Sequence, residues 1–165
     1  MGAETTAAAT GTVGIVRHDP MAMLPFCGYN MADYFAHGLK IGQQLKKPPL
    51  IFRVNWFRKD QDGNFLWPGY GENIRVLKWV LERVRGTGEA GETALGYLPT
   101  PDAIDTEGLA LAPGAMEELT SVDISGWLNG VKEMEKFYAD FGERLPGEIW
   151  DEHRKLKNRL EALQV

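Results

Sequence analysis

Residues 50–57, LIFRVNWF, alternate in side-chain direction, and residues 73–85 switch to the three-and-four spacing of a helix. The first segment is β-branched and aromatic. It is bounded by Pro48-Pro49 and by Asp60-Gln61-Asp62-Gly63, which predicts a strand entering a turn. Phe52, Val54 and Trp56 share one face, and Ile51, Arg53, Asn55 and Phe57 the other, so the adjacent rings of Trp56 and Phe57 point in opposite directions. One can enter a core while the other stays outside. Phe65-Leu66-Trp67 returns from the turn, and Pro68-Gly69-Tyr70-Gly71 is a tight turn stiffened by proline and permitted by glycine. Glu72 and Asn73 open a helix with Ile74, Leu77, Val80, Leu81 and Val84 at helical spacing, Arg83 and Arg85 in its last turn and Gly86 as its stop.

Elsewhere the same reading predicts a short strand at residues 14–17 and an Asn30-capped helix to about Leu45, with Met31, Tyr34, Phe35 and Leu39 on one side. An edge strand is predicted at 94–98, an irregular link at 101–114 and a short helix at 116–119. Asp123 then caps a helix burying Ile124, Trp127, Leu128, Val131, Met134, Tyr138 and Phe141. Pro146 starts the last helix, with Ile149, His153, Leu156, Leu160 and Leu163 as its seam. The fold class is therefore mixed α/β: a small sheet or hairpin, a helix leaving the aromatic loop, and a helical C-terminal layer.

Residues 56–73 carry five aromatics, Trp56, Phe57, Phe65, Trp67 and Tyr70, and end on Asn73. Two aromatic faces and an amide that donates and accepts suit a planar heterocycle, stacked by the rings and read at one edge by the amide. Aromatics beside a hairpin are more often core, and the pattern by itself leaves both readings open.

The 165 residues, 44% hydrophobic and 25% charged, suffice for one soluble domain with its own core. A net charge of -5 argues against nucleic acid as a partner. The single cysteine, Cys27, permits no internal disulfide and fits a reducing cytoplasm. His18, His37 and His153 lack metal-ligand spacing, and His18-Asp19-Pro20 reads as a turn. No leader pattern and no apolar run approaching the ~18 residues of a membrane span occur, so no membrane association is expected. The glycines at 86–91 form no phosphate cradle, since G-x-x-x-x-G-K-[ST] is absent from the chain.

Four segments, His18-Asp19-Pro20-Met21-Ala22-Met23, Pro25-Phe26-Cys27-Gly28-Tyr29-Asn30, Val54-Asn55-Trp56-Phe57-Arg58-Lys59-Asp60 and Phe65-Leu66-Trp67-Pro68-Gly69-Tyr70-Gly71-Glu72-Asn73, closely resemble the C-terminal part of GTP-dependent phosphoenolpyruvate carboxykinases. The likeness runs from about Glu4 to the end, which makes the chain look like the last quarter of a larger enzyme. By that resemblance Phe57 and Tyr70 clamp a guanine base, Asn73 reads its edge, and Trp56 and Phe65 form the walls. Tyr70 stands where phenylalanine is the family's habit, which keeps the ring face and adds a hydroxyl. Phe26 matches a phenylalanine that lies against phosphoenolpyruvate or oxaloacetate. Leu24 replaces an arginine of some relatives, and Gly38 a tryptophan.

Thr5, Thr6, Ala7, Ala8, Ala9, Thr10, Gly11, Thr12, Val13, Gly14 and Ile15 match the family's mobile lid, an omega-loop that closes over bound substrates; from composition alone, residues 1–14 read as a flexible arm. The resemblance thus divides the chain into a lid at 1–15 and the C-terminal part of a nucleotide-binding domain at 16–165. It implies a decarboxylating lyase of gluconeogenesis, cytoplasmic and monomeric. Oxaloacetate and GTP become phosphoenolpyruvate, GDP and carbon dioxide, with Mn2+ or Mg2+ held by residues outside this chain. No catalytic residue and no metal ligand falls within it. The competing reading is a stand-alone purine-binding or protein-interaction module without catalysis.

Overall fold

A computed structural model describes residues 3–4, 16–17 and 23–164. They fall into two compact units, residues 1–48 with 124–165, and residues 49–123.

In the first unit, β1 (Ala3–Glu4) pairs antiparallel with β2 (Val16–Arg17). The predicted strand at 14–17 is thus present at its C-terminal half, and β1 lies inside the arm expected to be flexible. The lid candidates Thr5 to Ile15 and the His18-Asp19-Pro20 turn lie outside the described residues. Helix α1 (Met31–Gln44) begins where the sequence predicts: the Asn30 Oδ1 accepts the Ala32 N–H at 2.9 Å, satisfying a donor that the first turn leaves free. Met31 and Ala32 are buried, and the Phe35 ring meets Phe141 edge-on at 5.8 Å.

The C-terminal helices α4 (Ile124–Ala139) and α5 (Gly147–Glu161) pack on one another around Val131, His153 and Leu160. His153 is a structural residue. Its Nε2 lies 3.1 Å from the Val131 carbonyl oxygen, and its ring stacks edge-on with Tyr138 and Trp150, so the buried polar atom is satisfied. Leu163, assigned to the seam, is exposed because α5 ends at Glu161.

The second unit has α2 (Asn73–Arg85), an antiparallel hairpin of β3 (Gly91–Thr93) and β4 (Gly96–Leu98), and the short α3 (Ala115–Thr120). The hairpin corrects the single edge strand predicted at 94–98. Thr93 Oγ1 donates to the Gly96 carbonyl at 2.8 Å, and Gly96 takes φ +114°, so the chain reverses at Ala94-Leu95. Trp67, Trp79 and Ile104 form the core, with Phe52, Trp56, Val76 and Val80 packed on it. Ile104, placed by the sequence in an irregular link, is a core residue there.

Residues 50–57 correct another expectation, because no strand forms among them. Their alternation is real: Phe52 and Trp56 turn into the core while Ile51, Arg53, Asn55 and Phe57 are exposed. Val54, on the inward face, remains exposed. Alternation dictates which way side chains point, but a strand also needs a ladder partner, and none pairs with 50–57 among the described residues.

Helix α2 buries Trp79 and packs Val76 and Val80 on the core, whereas Ile74, Leu77, Leu81 and Val84 are exposed. Of the face predicted from spacing, only Val80 points inward. Residues 76, 79 and 80 satisfy helical spacing as well as 74, 77 and 81 do, so period alone could not choose between two apolar stripes. The helix stops as predicted: Gly86 adopts φ +79°, and the Thr87 and Gly88 N–H groups donate to the Glu82 carbonyl at 2.9 and 3.1 Å.

Candidate functional site

The turn at 60–64 is built by one carboxylate. Asp60 Oδ1 accepts the Asp62 and Asn64 backbone N–H groups at 3.0 and 2.8 Å, and its Oδ2 accepts the Asn64 side-chain amide at 3.2 Å. The Asn64 backbone N–H is the main reason that the Asp60 carboxyl titrates below its ordinary range, since each N–H favours the ionised form. Gly63 takes φ +85° at the tip, and Lys59 bridges Phe65 across the loop. The Lys59 ammonium stands 4.9 Å from the Phe65 ring centre.

Arg58 fastens this loop to the unit. Its guanidinium donates to the Leu119 and Ser121 carbonyls at 3.3 and 2.9 Å and to the Ser121 hydroxyl at 2.9 Å. On the N-terminal side, Asn55 Oδ1 accepts the Phe57 N–H at 3.0 Å, which sets the turn that directs this ring outward. Phe57 is 72% exposed and Phe65 58% exposed, and the two meet edge-on at 6.2 Å between ring centres. Neighbouring Trp56 is half-buried against the core.

Past Trp67 the chain passes through Gly69 at φ +120° and ψ -168°, a region open in practice only to glycine. A 3-10 turn, Tyr70–Glu72, follows and leads directly into α2. Tyr70 is 92% exposed on that turn. Asn73 is half-buried at the start of the helix, and its Oδ1 accepts the Trp67 indole N–H at 2.9 Å. Two residues on, Arg75 donates to Glu72 Oε2 at 2.7 Å and to the Asp105 carbonyl at 2.9 Å, which anchors the first turn of α2.

All five base-site candidates, Trp56, Phe57, Phe65, Tyr70 and Asn73, thus belong to the second unit. Of these, the rings of Phe57, Phe65 and Tyr70 are exposed, and the Asn73 amide is tethered by Trp67. Phe26, the substrate-adjacent candidate, belongs to the first unit, on the Leu24–Phe26 turn, and is 84% exposed. Among the described residues no group of three or more His, Cys, Asp or Glu side chains is arranged to hold a metal, and no helix is long and apolar enough to cross a membrane. The sequence reading missed Trp67 as a partner of Asn73. Its signal is the spacing of six, which lets a loop tryptophan reach back to the helix it precedes.

Residues 1–159 match the family described as the phosphoenolpyruvate carboxykinase C-terminal P-loop domain. The chain belongs to the GTP-dependent phosphoenolpyruvate carboxykinase family. It is 51% identical over 164 residues to the phosphoenolpyruvate carboxykinase (GTP) of Treponema pallidum (strain Nichols), covering 97% of this chain and 26% of that protein. Identity to the enzyme of the same name is 47% over 166 residues in Chlamydia abortus, covering 99% of this chain and 28% of the relative. In Paenarthrobacter aurescens it is 46% over 162 residues, covering 97% and 27%. The chain spans about a quarter of the length of the curated relatives it matches. The motif G-x-x-x-x-G-K-[ST] does not occur in this chain, although the family is described as a P-loop domain. The matched residues include the aromatic loop at 56–73.

Proposed function

We propose that this chain supplies the guanine-base site of a GTP-dependent phosphoenolpyruvate carboxykinase. The observation that carries this reading is the pairing of exposed rings with a tethered amide: Phe57, Phe65 and Tyr70 are exposed on a loop pinned by Asp60, Arg58 and Gly69, and Asn73 stands at its end. Rings exposed on a stiff loop lose little conformational freedom on stacking, so more of the stacking energy remains for affinity. Phe57 and Tyr70 take the two faces of the base, Trp56 and Phe65 the walls, and Asn73 the edge.

The reaction is the conversion of oxaloacetate and GTP to phosphoenolpyruvate, GDP and carbon dioxide. The carbon–carbon bond to the departing carboxylate breaks, and its electron pair becomes the enolate of pyruvate. The enolate oxygen then attacks the γ-phosphorus in line, and the bond to the β-phosphate oxygen breaks to release GDP. This chain's contribution is binding and orientation of the base, together with closure by the lid at 1–15, which keeps water from the enolate. Residues 16–165 are the C-terminal part of the nucleotide-binding domain. Phe26 lies against the three- or four-carbon acid. The divalent ion, Mn2+ or Mg2+, is held by residues outside this chain; the positive field for the phosphates comes from outside it as well, since the chain has a net charge of -5. The complete enzyme works as a cytoplasmic monomer in gluconeogenesis.

Calorimetric titration of the chain with GDP and ADP tests this reading. Saturable binding of GDP over ADP, weakened in Phe57→Ala and Asn73→Ala, is the expected result. Absence of GDP binding refutes a preformed base site. The chain alone is expected to turn over no oxaloacetate, and measurable carboxykinase activity from it would overturn that assignment of roles.

A further inference from the structure

Trp67 is 5% exposed, and its indole N–H donates to Asn73 Oδ1 at 2.9 Å. An indole nitrogen can only donate, so the amide atom facing it must be the oxygen; the chemistry settles which way the Asn73 side chain is turned. Its two Nδ2 hydrogens meet no protein acceptor among the described residues. Asn73, expected from sequence to donate and accept freely, is therefore held with its nitrogen available and its oxygen engaged.

We propose that Trp67 is a positioning residue that makes Asn73 a fixed donor, so that the site selects purine nucleotides carrying an oxygen at C6. The inference rests on the reading that Asn73 contacts the base. Guanine and hypoxanthine present O6 as an acceptor, whereas adenine presents the N6 amino group, a donor, at the same place. A fixed Nδ2 donor pairs with O6 and opposes N6–H. An untethered amide could rotate by half a turn and accept from adenine instead. Trp67 penalises that rotation, because it would leave the buried indole N–H facing another donor.

The test is calorimetric titration of the 165-residue chain, as Trp67→Phe, Asn73→Asp and unsubstituted protein, with GDP, inosine diphosphate and ADP. The unsubstituted chain is expected to bind the two 6-oxo nucleotides within about threefold of one another, and both at least about tenfold tighter than ADP. Trp67→Phe keeps an aromatic ring in the core while removing the indole N–H together with part of the ring's volume; the GDP-to-ADP preference should fall about tenfold. A purely structural effect would weaken both nucleotides alike and leave that ratio unchanged. Asn73→Asp still offers an oxygen to Trp67 but turns the outward group into an acceptor, and the preference should move toward ADP.

If the unsubstituted chain prefers GDP and Trp67→Phe keeps the same ratio, the base site stands and the positioning role falls. If the unsubstituted chain binds no GDP, the site reading fails and the inference falls with it. Should Trp67→Phe not fold, Asn73→Asp and heteronuclear NMR of the unsubstituted chain decide. The Trp67 indole proton is expected to exchange slowly with water and to shift in Asn73→Ala. Exchange as fast as that of an exposed indole would overturn the proposal.

Discussion

Trp56 and Phe57 are neighbours in sequence with opposite environments, so truncation to alanine should weigh chiefly on stability at Trp56 and chiefly on base binding at Phe57. Phe57 is 72% exposed, and its ring meets Phe65 edge-on at 6.2 Å. Losing that ring should cost the fold no more than about 0.5 kcal/mol, the range of surface substitutions and of a weak aromatic pair. Losing one stacking face should cost GDP binding about 1–3 kcal/mol, a factor of roughly 5 to 150 in Kd. Trp56 is half-buried on the Trp67, Trp79 and Ile104 cluster. A fully buried tryptophan costs about 3–5 kcal/mol on truncation, so about half of that, ~2 kcal/mol, is expected for Trp56→Ala. Urea unfolding and calorimetric GDP titration, run on both variants, separate the two effects. A Phe57→Ala variant destabilised by about 2 kcal/mol, with its residual GDP affinity unchanged, would show that the exposed ring is a stability element and would refute the argument.

Arg58→Lys should not rescue Arg58→Ala, because one ammonium cannot span the Leu119 and Ser121 acceptors that the guanidinium fork reaches; faster amide exchange over residues 58–66 in both variants is the readout. Gly69→Ala should lose about 1–3 kcal/mol in thermal or urea unfolding, since a Cβ there meets no atom within 4 Å and the cost is that of the backbone at φ +120°. The Asp60 carboxyl titrates below 3.8, so its stabilisation of the turn is fully present above that pH and is lost as the pH falls through its lower folded-state value. An NMR pH titration should show the Asn64 amide moving in that acidic window, and Asp60→Asn should abolish the transition. Trp79→Phe should destabilise the second unit by about 1–3 kcal/mol, because the Glu89 carbonyl then loses the indole donor now at 2.8 Å.

Local chemistry was legible in the sequence wherever the decision was made within a few residues. Asn30 caps α1, Gly86 stops α2, Asp60 and Gly63 close the loop, and Gly69 takes the backbone angle that the Pro68-Gly69 turn demands, because each depends on covalent geometry or on a hydrogen bond to a near neighbour. The family was legible too, from four ordered segments. The opposite directions of Trp56 and Phe57 followed from the two-residue period of an extended chain.

Tertiary structure decided what periodicity leaves degenerate. Helix α2 carries two apolar stripes of similar spacing, and the core selected the one bearing Trp79, where the largest ring fills the space beside Trp67 and Ile104. Residues 50–57 keep the alternation of a strand without a ladder, since side-chain direction is a property of one segment and pairing is a property of two. The orientation of the Asn73 amide could not be read from its own position, because it is set by a donor six residues away that must be buried to enforce it. Bonds between near neighbours are specified by the chain itself, whereas the choice of face, of pairing and of amide orientation depends on groups that meet only after folding.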